Sequence, residues 1–136
     1  MAYLFQWHIP ERVYICRIVG DLTEDDITGA VDAAFAYVRS GQPPVHVLAD
    51  VRELGKRPNN ISKLRDVLAF FREPNLGMTC LIHTDKMTNF IATTMAQISR
   101  TELKAFSDPA KAIVTLQQLD TSLPEIPPYP SEFSSS

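Results

Sequence analysis

Cysteine is scarce in this sequence: Cys16 and Cys80 are the two among 136 residues. Both stand inside apolar runs, and neither has a Cys or His neighbour at metal-ligand spacing. The pattern argues for two buried free thiols in a reducing compartment, not for a disulfide framework or a metal site. A basic excess is also missing. Thirteen Lys and Arg stand against 16 Asp and Glu, the net charge is −3 and the pI about 5.5, which argues against a nucleic-acid binder. No apolar run approaches the ~20 residues of a membrane span, so membrane insertion is not expected. The first residues, Met1-Ala2-Tyr3-Leu4-Phe5-Gln6-Trp7-His8, lack a basic n-region and a small-residue cleavage site. A cytoplasmic protein, of a bacterium, is the expectation. Two catalytic signatures are absent as well: no G-x-x-x-x-G-K-[ST] and no G-x-S-x-G occurs.

What is present is the composition of a globular domain, with 45% hydrophobic and 21% charged residues. A chain of this length suits one domain and buries roughly 68–70% of its unfolded surface. The chain reads outward from Pro44-Val45-His46-Val47-Leu48-Ala49-Asp50, an apolar run of strand length that ends on a carboxylate. A turn-rich loop, Val51 to Asn60, follows it, and then a helical pattern from Ile61. Strand, loop, helix is the unit that sets polar groups at the carboxyl edge of a parallel sheet.

Before that unit, Tyr3 to Trp7 and Val13 to Val19 read as an N-terminal hairpin around Ile9-Pro10-Glu11-Arg12. Thr23 caps a first helix whose opening turn carries Glu24, Asp25 and Asp26, at the positive end of the helix dipole. Ile27, Ala30, Val31, Ala34, Phe35 and Val38 form its apolar stripe, and Gly41 with Pro43-Pro44 ends it. A second helix is predicted from about Asn60 to Arg72. Met78 to His83 is the next strand, and a third helix is predicted from about Lys86 to Ser99. Leu103-Lys104-Ala105-Phe106 is a short last strand. Asp108-Pro109 starts a fourth helix, with Ala112, Ile113, Leu116 and Leu119 on its inner face. From Thr121 the composition shifts to proline and serine, so residues 1–120 are expected as one α/β domain and 121–136 as a C-terminal tail.

The order is therefore ββαβαβαβα: a mixed, mostly parallel five-stranded sheet with four helices. Val47-Leu48-Ala49-Asp50, Leu76 to Ile82, and Ala105-Phe106-Ser107-Asp108-Pro109-Ala110-Lys111-Ala112-Ile113 carry a resemblance to the STAS superfamily, the anti-sigma-factor antagonists and their SpoIIAA-like relatives. The resemblance spans about residues 3 to 120. It implies a regulatory, protein-interaction domain and no enzymatic activity or cofactor. In one respect the chain departs from that family's phospho-regulated members, which carry Asp-Ser and Gly directly after the central strand. Here Val51-Arg52-Glu53 follows Asp50, and the first Ser is Ser62.

Several residues are candidates for function. Asp50 orients a loop, a partner or a cation, or it is a structural acceptor for loop amides. Arg52, Lys56, Arg57, Lys63 and Arg65 concentrate positive charge near a helix start, where backbone amides attract anions. Asp50, Arg52, Lys56, Arg57, Ser62 and Lys63 thus define an expected docking or anion-binding edge, with Ser62 a possible phosphorylation site. His83 and Asp85 invite a general-base reading, which no nearby nucleophile motif supports. His46 reads as a core or boundary histidine. The alternative function is a carrier of apolar small molecules, which needs a closed cavity above ~300 Å³ between sheet and helices. Tyr3, Phe5 and Trp7 on one face of the hairpin, with Tyr129 and Phe133 in the tail, point to a homodimer.

Overall fold

The computed structural model describes residues 3–55, 69–83 and 102–130. These hold five strands and two helices: β1 (Tyr3–Ile9), β2 (Val13–Gly20), α1 (Glu24–Ser40), β3 (Val45–Leu54), β4 (Leu76–Ile82), β5 (Leu103–Phe106) and α2 (Pro109–Leu119). The strands lie side by side in chain order. β1 and β2 pair antiparallel, and the β2–β3, β3–β4 and β4–β5 pairs are parallel. The mixed sheet and the first and last helices agree with the sequence pattern. Of the two helices expected between β3 and β5, nearly all lies outside the described residues; Ala69 and Phe70 are helical, at the end of the span expected for the second.

Alternation along the strands sends side chains to two faces. Tyr14, Cys16, Val45 and Val47 pack on one face with Val38 of α1 and with Phe70 and Phe71. Ile15, Leu48, Met78, Cys80 and Ile82 pack on the other with Ala112 and Leu116 of α2. Thr23 caps α1 through a reciprocal pair: its hydroxyl accepts from the Asp26 amide, and the Asp26 carboxylate accepts from the Thr23 amide. The Asp108 carboxylate accepts from the Ala110 amide and starts α2, with Pro109 in its first turn.

Three expectations change. β3 does not end at Asp50; it continues through Leu54, because Glu53 and Leu54 pair with Val19 and Gly20 of β2. Between Arg17↔Asp50 and Val19↔Glu53 the register slips by one residue, a bulge placed at Val51 and Arg52. The hairpin aromatics are not an exposed stripe. Phe5 and Trp7 lie under α1, with Tyr37 ring centroids at 5.5 and 5.0 Å, so this premise for a homodimer is gone. Finally, residues 121–130 are neither helix nor strand, yet they are packed. Leu123 and Ile126 are buried in the same cluster as Ile15 and Leu48, and Tyr129 packs against it. The segment is a strap across the α2 face of the sheet.

Candidate functional site

The strap face of β3 reads His46, Leu48, Asp50, and the polar residue at each end is met by the strap. Asp50 pairs with Arg17 of β2 and with Ile82, the last residue of β4. It therefore sits where β4 stops and the β2–β3 ribbon projects beyond it, at the carboxyl edge. Its side chain is 2% exposed. Oδ1 accepts from the Arg52 amide at 3.1 Å and from Arg52 Nε at 3.0 Å; Oδ2 accepts from the second Arg52 donor at 2.8 Å and from the Tyr129 hydroxyl at 2.7 Å. The Arg52 guanidinium also lies over the Tyr129 ring, 5.7 Å from its centroid. Burial pushes the Asp50 carboxyl up, but the Arg52 guanidinium, the Tyr129 hydroxyl and the Arg52 amide outweigh it and hold the group ionised below the usual range. Burial and the Asp50 carboxylate push the Tyr129 hydroxyl well up, so it stays a donor. Arg17 pairs with Glu53 on the same ribbon.

Of the residues predicted for this edge, the structure brings Asp50 and Arg52 together. Arg52 was expected as an exposed cation; its side chain is 9% exposed and committed to Asp50, because the bulge turns it back along its own strand. Lys56, Arg57, Ser62, Lys63 and Arg65 lie outside the described residues, as does Asp85. His83 follows β4, its amide donating to the Phe106 carbonyl at 2.9 Å.

A second cluster marks the opposite edge, and sequence reasoning missed it. His46 is buried, with the Met78 amide donating to its Nδ1 at 2.9 Å. That bond leaves the proton on Nε2, which donates to Asp120 at 2.8 Å. Arg12 of the hairpin reaches the same Asp120 oxygen at 2.9 Å, and the Ser122 amide and hydroxyl donate to the other. Gly77 permits the approach: a Cβ there would lie 2.5 Å from His46 Nδ1. Both ring nitrogens of His46 are thereby engaged, which makes it a tie between strands and strap and not a free base. Burial lowers its pKa, against the pull of Asp120. Burial raises the Asp120 carboxyl, but donors from Ser122 and His46 override it and bring the group to about 2.

A pH dependence follows. The folded state disfavours charged His46, so the unfolded chain binds the extra proton. Stability is full above the ordinary histidine value near 6.5 and falls as pH drops through it. Asp120 and Asp50 extend the loss from about pH 4 downwards. Urea unfolding at pH 7.5 and 5.5 is expected to show a lower midpoint at 5.5. In His46→Gln that difference is expected to shrink; if it stays the same size, the sensitivity resides elsewhere.

The buried thiols of Cys16 and Cys80 are both pushed up to about 12, chiefly by burial, which leaves neither as a ready thiolate. Among the described residues no helix is long and apolar enough to cross a membrane.

This architecture is that of the SpoIIAA-like α/β fold. An uncharacterized protein of the DUF3478 family with a SpoIIAA-like fold, from Shewanella loihica PV-4, matches with a TM-score of 0.65 and 17% identity over 85% of this chain and 92% of that one. The anti-sigma factor antagonist SpoIIAA in its unphosphorylated form matches at 0.56 and 11% identity, over 85% and 98%. An anti-sigma factor antagonist from Mycobacterium paratuberculosis matches at 0.57 and 12% identity, over 85% and 92%. No family model and no curated protein matches the sequence.

Proposed function

We propose that this chain is a non-enzymatic regulatory domain that docks a protein partner at the carboxyl edge of its sheet. The observation that carries the reading is the Asp50–Arg52–Tyr129 cluster, which braces the projecting end of β3 and ties it to the strap. A strand end fixed in this way is a pre-ordered surface, and such a surface loses less entropy on binding. Lys56, Arg57 and Lys63 follow that strand end in sequence, and their charge suits an acidic partner surface. Support also comes from the fold, which is that of proteins described as anti-sigma factor antagonists. Ser62 belongs to the same proposed surface as a modification site, since a phosphate beside Lys63 and Arg65 would be held by opposite charge. A cytoplasmic, bacterial setting fits this role.

The carrier alternative is less well supported. The cavity between sheet and α1 measures about 160 Å³, half of what a carried drug-sized or lipid molecule needs.

The test replaces Lys56, Arg57 and Lys63 together with Ser and leaves Arg52 in place, because its loss would disturb the fold. Affinity purification from the source organism with quantitative mass spectrometry is expected to show the main co-purifying protein reduced about tenfold or more. Unchanged recovery at low salt, with the thermal midpoint intact, would move the docking surface away from this edge.

A further inference from the structure

The sheet has two lateral edges, and they are built differently. β5 forms one of them with four residues, and the exposed Lys104 stands within it. Short edge strands and edge lysines keep other chains from pairing there. β1 forms the other edge. It runs seven residues, Tyr3–Ile9, and contains no Lys, Arg, Asp, Glu or Pro. Its register with β2 is regular from Tyr3 to Trp7, and the slip lies beyond, between Trp7 and Ile9. Among the described residues the backbone from Tyr3 to Trp7 is bonded to β2 alone. The outward N–H and C=O groups of alternate residues are therefore open to another strand. Leu4, within this run, is 44% exposed.

An edge of this kind takes one more strand, and the composition of β1 points to the same strand of a second copy. A two-fold axis through Phe5, perpendicular to the sheet, sets two β1 strands antiparallel and keeps each face of the sheet on its own side. Tyr3 then stands opposite Trp7 of the second copy, Phe5 opposite Phe5, and Leu4 opposite Gln6. Tyr3, Phe5 and Trp7 are half-buried, so each has ring surface left to cover, and aromatic pairs across strands add stability. Two copies of a chain with net charge −3 repel each other; an uncharged strand brings no like charges face to face. We propose that two copies of this chain associate by antiparallel pairing of β1 with β1, about a two-fold axis near Phe5, into one continuous sheet. The inference rests on the open backbone edge and not on an exposed aromatic stripe. In the order β1-β2-β3 this edge lies two strands from Asp50, so the pairing stands or falls independently of docking at the carboxyl edge.

The test is sedimentation equilibrium of the full chain, which is expected to give a species of twice 15.2 kDa at micromolar concentration. Two double variants then probe the pairing itself. Leu4→Lys with Gln6→Lys sets Lys opposite Lys, and Leu4→Glu with Gln6→Glu sets Glu opposite Glu. Like charges directly opposite each other destabilise a strand pair, so each variant alone is expected to lose at least tenfold in association and to sediment as a monomer. Mixed in equal amounts, the two are expected to restore the dimer, because every Lys then faces a Glu. The proposal is overturned if the unaltered chain stays monomeric up to about 100 µM. It is also overturned if the Lys variant still dimerises, or if the mixture stays monomeric while both variants melt cooperatively. Should either variant fail to fold, amide hydrogen exchange on the unaltered chain decides the matter. Slower exchange at alternate amides of Tyr3 to Trp7 as concentration rises supports the pairing, and unchanged rates overturn it.

Discussion

Asp50→Ala is expected to lower stability by about 3–5 kcal/mol, the cost of leaving a buried charge without its partner. The reason lies in what remains behind. The Arg52 guanidinium keeps its charge at any accessible pH, and its side chain is 9% exposed. The Tyr129 hydroxyl loses its carboxylate acceptor in the same step. For a chain of this size, roughly 2–8 °C per kcal/mol places the fall in thermal midpoint on the order of 10–20 °C. Tyr129→Phe removes one charge-assisted hydrogen bond and is expected to cost less, about 1.5–3 kcal/mol. The two losses are expected not to add, since both act on one carboxylate. Replacing the ion pair as a unit, Asp50→Leu with Arg52→Met, is expected to recover much of the loss, because apolar pairs often substitute for buried ion pairs at little cost. Circular-dichroism melts of the unaltered chain and four variants, the Asp50→Ala/Tyr129→Phe double included, measure all of this. A fall under about 1 kcal/mol for Asp50→Ala would mean that Arg52 escapes to water, and the edge would then be no fixed platform.

The parts of this fold that local chemistry dictates were legible in the sequence. Thr23 with three acids, and Asp108 before Pro109, mark helix starts through bonds between residues two or three apart, and both caps form as expected. β5 was readable to the residue, since Leu103 to Phe106 stands between polar neighbours. Parallel pairing followed from strands alternating with helical patterns. The errors occur where a distant segment decides. Val51 to Leu54 holds two charges, so its composition reads as loop; pairing with β2 makes it strand, and β2 lies more than thirty positions back, as in Arg17 with Glu53. The alternation of Tyr3, Phe5 and Trp7 was visible, but whether a helix or solvent covers that face depends on where α1 returns. Asp50 meets Tyr129 across 79 positions and His46 meets Asp120 across 74. No periodicity, cap or turn rule reaches so far. The nearest signal was Tyr129 itself, an aromatic among prolines, and it was read as a surface for self-association when its partner was this chain's own Asp50.

The strap is where the second large effect is expected. Ending the chain at Asp120 removes Leu123 and Ile126, which are 5% and 6% exposed and belong to the cluster built on Ile9, Val13 and Ile15. It also removes Tyr129 from Asp50, and it takes the Ser122 donors from Asp120. Loss of a buried aliphatic side chain costs about 2–5 kcal/mol, so two of them with the Tyr129 bond approach the 5–15 kcal/mol that a whole domain has in hand. The truncated chain is expected to lose its cooperative urea transition. Single substitutions separate the causes. Leu123→Ala and Ile126→Ala are each expected to cost about 2–5 kcal/mol while Tyr129 still reaches Asp50; Tyr129→Phe loosens the edge and leaves the apolar contacts alone. If the truncated protein unfolds cooperatively within a few degrees of the full chain, the strap is an appendage and the tie from His46 through Asp120 to Tyr129 carries little. If it does not, the strap joins the two edges of the sheet: the Asp120 end is anchored by a buried imidazole and Arg12, and the Tyr129 end sets the carboxylate beneath the proposed docking surface. Anything that drew the strap away would then be felt at both edges together.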